Sequence, residues 1–194
     1  MSFSETLKKY LTSRQCFKDE DFKGKMTSDP SLRSLQQAID SFYWPLKELC
    51  RKNASSWKIQ IGFGKGNATA DQYVAVIPLD QKVSEGIFFC ICFDHSGTGC
   101  VMGAMAAMKK TPLIGLPLIE RALCPSKNDS GQKWQMVAPY TIDIGKWNNA
   151  FFYCEEIHLH RIISDELSTE KQIINCFEKS RVLIEKILSE RQEQ

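Results

Sequence analysis

The chain has 194 residues, a net charge of +2, 43% hydrophobic residues and 25% charged residues. That balance excludes a disordered chain, and the length provides one domain whose core needs no disulfide staples. The pI of about 8.1 permits a nucleic-acid partner, but a protein that coats many phosphates is usually more basic unless its Lys and Arg are segregated on one face.

The N-terminal "MSFSETLKKYLTSRQ" is amphipathic and charged, with no long apolar run. It is not a secretory signal, and no stretch of the chain approaches the length of a membrane span. The expectation is a cytoplasmic protein with reduced thiols and no membrane partner. Residues 3–14 read as a short helix and "KDEDFKGKMTSDP" as a polar connector. A longer helix is predicted from Ser28, with Ser28 or Asp29 as cap and Pro30 in its first turn. Leu32, Leu35, Ile39, Phe42, Leu46 and Leu49 give it one buried face, and Pro45 should kink or divide it.

After "RKNASS" the period changes. Trp57, Ile59, Ile61 and Phe63 alternate with Lys58, Gln60 and Gly62, as in a strand with one apolar face. "YVAVIPL" (73–79) and "GIFFCICFD" (86–94) read as central strands, "HSGTG" as a turn, and "CVMGAMAAM" (100–108) as a strand at its start. Residues 109–133 read as irregular, with one short helix near 116–123, and 134–142 stay ambiguous between states. Residues 148–163 read as a strand leaving a loop, and the remainder as a helix in which Thr169 and Gln172 fit a capping box. Helices, then strands, then a closing helix indicate an α+β fold. The expected architecture is a single domain with a curved, mostly antiparallel mixed sheet flanked by N-terminal and C-terminal helices. Its parts are 1–54 (helical), 55–163 (sheet) and 164–194 (C-terminal helix).

Eight cysteines occur without a Cys-x-x-Cys, so the paired spacing of a structural zinc site is missing. Cys90 and Cys92 share one face of a strand and read as small core residues. His158 and His160, at strand spacing with Glu155 and Glu156 nearby, are a candidate set for a metal-dependent hydrolase. Two histidines on a half-exposed strand are the plainer reading. No nucleophile motif of the G-x-S-x-G or S-x-x-K type is present.

The stretch "IGFGKGNATADQYVAVI" (61–77) carries Gly62, Gly64 and Gly66 at alternate positions around Lys65. It fits neither a P-loop nor a dinucleotide fingerprint, because a strand rather than a helix follows. A glycine-bearing turn between antiparallel strands fits better. Glycines also allow close backbone approach to a ligand, and a lysine among them can meet a phosphate. Tyr73, Trp134, Tyr140 and Trp147 lie in or beside polar loops, where an aromatic serves either as a stacking platform for a base or as a cover for the core edge.

The span from Trp57 to Met105, "WKIQIGFGKGNATADQYVAVIPLDQKVSEGIFFCICFDHSGTGCVMGAM", resembles the N-terminal DNA-binding domain of McrB-type modification-dependent restriction proteins. So does the patch "KWNNAFFYCEEI" with the helix "KQIINCFEKSRVLIEKIL". The shared pattern is a strand ending in G-x-G-N, an aromatic-led strand, a G-I-aromatic strand and a hairpin, over roughly residues 55–108 and 145–188. The resemblance implies a module that binds double-stranded DNA and flips a modified, methylated cytosine into an aromatic pocket. Tyr73 and Trp147 would sandwich the base, Cys92 would lie at the pocket floor, and Asp94 or Asn67 would read the base edge. Gly64, Lys65, Gly66 and Asn67 would form the DNA-facing tip, joined by Lys58. Where the family can present a bulky aromatic in the glycine turn, this chain has Lys65. The resemblance further implies no catalysis, metal or cofactor in this chain. GTP would belong to a separate AAA+ motor, and cleavage to a nuclease subunit. A base-reading RNA-binding module is the other use of such a pocket.

Overall fold

The computed structural model describes residues 2–84, 86–107, 141–147 and 150–192. The expectations for 109–133 and for Trp134 and Tyr140 lie outside the described residues. The described chain builds one five-stranded sheet in the order β1-β2-β3-β4-β5. The strands are β1 (Trp57–Lys65), β2 (Asn67–Pro78), β3 (Ile87–Phe93), β4 (Gly99–Ala106) and β5 (Phe151–His158). All four pairings are antiparallel, and the α+β class is as the order of elements predicts.

Each of the seven side chains of β3 is buried, so both faces of the sheet need a cover. On one face Val74, Val76, Phe89, Ile91, Phe93, Met102 and Phe152 meet the helices. These are α1 (Phe3–Arg14), α2 (Arg33–Asp40), α3 (Tyr43–Asn53), α4 (Leu159–Ser164) and α5 (Glu166–Gln192). Helix α5 packs on β3, β4 and β5, and its Phe177 stands edge-on to Phe89 with ring centroids 5.2 Å apart. On the opposite face Ala75, Ile77, Phe88, Cys90, Cys92, Val101 and Phe151 form a second cluster, covered by Ile142, Ile144 and Ala150. Tyr73 and Trp147 pack at its margin.

Several boundaries differ from the periodicity, each for a local reason. The predicted long helix is divided. Asp29 accepts from the Ser31 amide at 2.8 Å and caps a 3-10 turn at Pro30–Leu32, α2 ends at Asp40, and α3 restarts at Tyr43. Pro45 sits in the first turn of α3, where its missing N–H costs nothing. The capping box at Thr169 is not formed. Helix α5 already begins at Glu166, and the Asp165 carboxylate accepts from the Ser168 amide at 3.0 Å. Thr169 is interior to it and bonds back to the Asp165 carbonyl at 2.8 Å. A reciprocal box forms on α1 instead, between Ser2 and Glu5. The late strand stops at His158, because the Leu159 amide bonds to the Thr98 carbonyl at 2.8 Å and α4 begins there.

The polar connector is more than a linker. Its Lys25–Thr27 segment runs along the far side of the β1–β2 turn: Met26 bridges Asn67, Thr27 N–H donates to the Gly66 carbonyl at 2.7 Å, and Ala68 N–H donates to the Lys25 carbonyl at 2.9 Å. Beyond Tyr73, where β3 no longer pairs with β2, this segment replaces it as the neighbour of the hairpin.

No helix among the described residues is long and apolar enough to cross a membrane. The seven described cysteines are free thiols. Burial pushes the Cys50 and Cys154 thiols up to about 11, and Cys92, Cys100 and Cys176 further. Thiolates are the reactive form. Alkylation of the native protein near pH 8, followed by peptide mapping, is therefore expected to modify exposed Cys16 and to spare Cys92, Cys100 and Cys176 until denaturant is added.

The hairpin turn supplies a second test. Gly64 has φ +118°, and a Cβ there would overlap the Asn67 carbonyl, whereas Gly66 at φ +82° faces open space. Gly64→Ala is expected to cost about 1–3 kcal/mol in urea unfolding, and Gly66→Asn clearly less, since asparagine tolerates that backbone region.

Candidate functional site

Tyr73 opens the part of β2 that pairs with β3, and its register partner there is Cys92. On the other side it pairs with Gly62. A Cβ on Gly62 would overlap the Tyr73 ring, so the ring lies across the glycine. Its hydroxyl accepts from the Gln60 Nε2 at 2.9 Å, and burial raises its pKa above the ordinary tyrosine value. The first of the three alternating glycines is thus a seat for an aromatic ring, the second lies near the end of β1 opposite Ala68, and the third is the turn residue between Lys65 and Asn67.

Trp147 ends a 3-10 turn, Gly145–Trp147, and meets Tyr73 edge to face, with centroids 5.5 Å apart and planes at 76°. Both side chains are half-buried. Cys92 is fully buried in the same cluster, with its sulfur 3.6 Å from that of Cys90. Residues far apart in sequence, 73, 92 and 147, are therefore brought to one place. The two rings touch each other and are not held apart as parallel plates. A base lying between them needs faces about 7 Å apart, twice the contact distance of an aromatic carbon.

Asp94 stands at the end of β3 with its carboxylate turned into the β3–β4 turn. It accepts from the Ser96 hydroxyl at 2.9 Å, the Thr98 amide at 3.2 Å and the Thr98 hydroxyl. Through these donors the carboxylate caps the β3–β4 turn, and Asp94 is buried there. Gly64, Lys65, Gly66 and Asn67 form the hairpin tip, with Lys65 and Asn67 paired; the Lys65 side chain lies outside the described residues. Lys58 does not join them. It lies seven residues back along β1, about 23 Å at strand spacing, with its ammonium 3.2 Å from the Leu79 carbonyl.

The candidate hydrolase set is divided by strand alternation and by the end of β5. Glu155 accepts from the Tyr153 hydroxyl at 2.8 Å and from Gln172 of α5 at 3.0 Å. Glu156 points to the opposite face, where its carboxylate accepts from the Thr141 hydroxyl at 2.9 Å. His158 lies 3.6 Å from Glu156, but His160 is in α4, so the two histidines share no strand face. Their rings lie 5.4 Å apart, and no group of three potential metal ligands converges among the described residues.

One cluster escaped the sequence reading. His95 contacts Asp19 through Nδ1 at 2.8 Å and Asp71 through Nε2 at 3.1 Å. Asp19 also binds the fully buried Arg14 at 2.9 Å. Asp71 belongs to a bulge in which residues 69–72 of β2 stand opposite Phe63 alone. Residues 14, 19, 71 and 95 share no motif or period, so no sequence pattern gathers them.

Comparison with known proteins returns no match for this chain, either to a family model or to a curated protein.

The geometry separates Asp94 from the aromatic site in a measurable way. Asp94→Ala is expected to lower stability by about 1–3 kcal/mol through the donors it leaves unpaired, measured by thermal or urea unfolding. The Tyr73 and Trp147 contact, followed by aromatic NMR cross-peaks, should persist below the transition.

Proposed function

We propose that this chain is a DNA-binding module that reads a modified, methylated cytosine by flipping it against Tyr73 and Trp147. The observation that carries the reading is the contact of these two half-buried aromatic residues at the margin of the cluster that holds buried Cys92, the register partner of Tyr73. Extrusion of a base costs a few kcal/mol in lost stacking, and aromatic faces are the groups that return it. A small thiol beside Tyr73 leaves room for a base substituent. The edge-to-face contact would be the closed form of the site, and admission of a base would turn Trp147 away from Tyr73.

The exposed β1–β2 turn, braced by Lys25–Thr27, supports a role as the surface that meets the duplex. Its backbone approaches a phosphate without side-chain obstruction at Gly64 and Gly66. In this reading the protein acts in the cytoplasm as the specificity part of a McrB-type restriction system. A GTP-driven AAA+ motor and a nuclease subunit are its partners, and the chain itself performs no catalysis.

Titration of methylated, hydroxymethylated and unmodified duplexes at one fixed salt concentration tests the proposal. Tighter binding of a modified duplex is expected. Tyr73→Ala and Trp147→Ala should each weaken it by about 1–3 kcal/mol while the circular dichroism spectrum stays unchanged. Equal affinity for all duplexes, or none for any, would overturn base reading, and preference for single-stranded RNA would assign the same pair to an RNA module.

A further inference from the structure

Both ring nitrogens of His95 lie within hydrogen-bond distance of a carboxylate oxygen, Nδ1 of Asp19 and Nε2 of Asp71. An ionised carboxylate only accepts, so satisfying both contacts takes two N–H donors, and the imidazolium alone has two. The neutral ring would turn a lone pair toward one of the two carboxylates. With the ring charged, Arg14, Asp19, His95 and Asp71 sum to zero.

Among the described residues, the charged groups around this ring come from four elements. Arg14 of α1 is fully buried and binds Asp19 at 2.9 Å. Asp19 begins the 3-10 turn Asp19–Phe22, and Asp71 lies in the β2 bulge. Asp94 precedes His95 but spends its carboxylate on Ser96 and Thr98. From the Trp147 turn comes backbone: a Cβ on Gly145 would stand 2.7 Å from the Asp71 carboxylate and 3.0 Å from His95 Nε2. Asp143 Oδ1 accepts from the Gly145 amide at 2.9 Å and shapes that turn.

His95 is therefore linked to the two segments that carry the aromatic residues. Asp71 is two residues before Tyr73, and Gly145, packed on the His95–Asp71 contact, is two residues before Trp147. We propose that His95 is the positioning residue of the aromatic site: its doubly protonated ring ties Asp19 to Asp71 beneath the Gly145–Trp147 turn and holds Trp147 against Tyr73. The tie needs both ring N–H donors and both carboxylates ionised, so loss of a ring proton or protonation of Asp19 or Asp71 breaks it. The purpose of this device rests on the base-reading proposal, but its physical content concerns the protein without DNA.

The test is a pH titration of the ¹⁵N-labelled full chain in the absence of DNA. The imidazole nitrogens of His95 and the indole N–H of Trp147 are followed, the latter assigned with Trp147→Phe. At the acidic end both His95 nitrogens should be protonated, and the Trp147 signal should shift with the same midpoint as the His95 ring. In His95→Gln, which keeps a donor but no titrating charge, the pH dependence of Trp147 should be lost, and in Asp71→Asn it should uncouple from His95. A Trp147 signal that stays still while His95 titrates in the wild type would overturn the inference without any variant, as would an unchanged Trp147 titration in His95→Gln. Absence of preference for modified DNA would instead sink the base-reading proposal and leave this coupling standing.

Discussion

Burial of every side chain of β3 is the constraint from which the rest of the architecture follows. A strand buried on one face needs a single cover, and the helices provide it through Phe42, Phe177 and their neighbours. The second face, with Phe88, Cys90 and Cys92, needs another, and β-strand alternation leaves no way to avoid that demand. It is met by Ile142, Ile144 and Ala150 and, toward the margin, by Tyr73 and Trp147. The aromatic pair is thus part of a core cover as well as a candidate ligand surface. Packing the two rings on each other removes aromatic area from water.

The hairpin and the polar cluster position this margin from two sides. Gly62 removes the one side chain that would lift Tyr73 off β1. The bulge at 69–72 then turns Gln72 inward, where it accepts from the buried Tyr10 hydroxyl, while Asp71 meets His95. Arg14, a fully buried cation, donates to the Phe17 carbonyl, pairs with Asp19 and lies over the face of the Phe22 ring at 4.9 Å. Charges in such surroundings are tolerated only when paired. The pairing links helix α1, the connector, the hairpin base and the β3–β4 turn around the back of the aromatic site.

The strands were legible because their patterns are local. Alternation at Trp57–Phe63 and the unbroken apolar run at Ile87–Phe93 each encode a strand without reference to the rest of the chain. Boundaries were less legible where a tertiary bond decides them. Leu159 ends β5 because its amide reaches Thr98, and α1 is tied at its start because Glu170 of α5 accepts from the Phe3 and Ser4 amides at 3.2 and 2.6 Å. Thr169 and Gln172 matched a capping pattern that the local sequence allows, but Asp165 offered an earlier start.

For the site, the sequence by itself determined the chemistry available: a glycine turn, aromatic residues beside polar loops, and small thiols on a central strand. Only the tertiary structure decided which of these meet. It set Tyr73 against Trp147 and beside its register partner Cys92, turned Asp94 into its own turn, left Lys58 at the far end of β1, and assembled Arg14, Asp19, Asp71 and His95 from four separate segments. The physical reason is that alternation and helical period specify which face a residue occupies, whereas contact between faces depends on strand register, on one bulge and on loop closure, and these are properties of the packed chain as a whole.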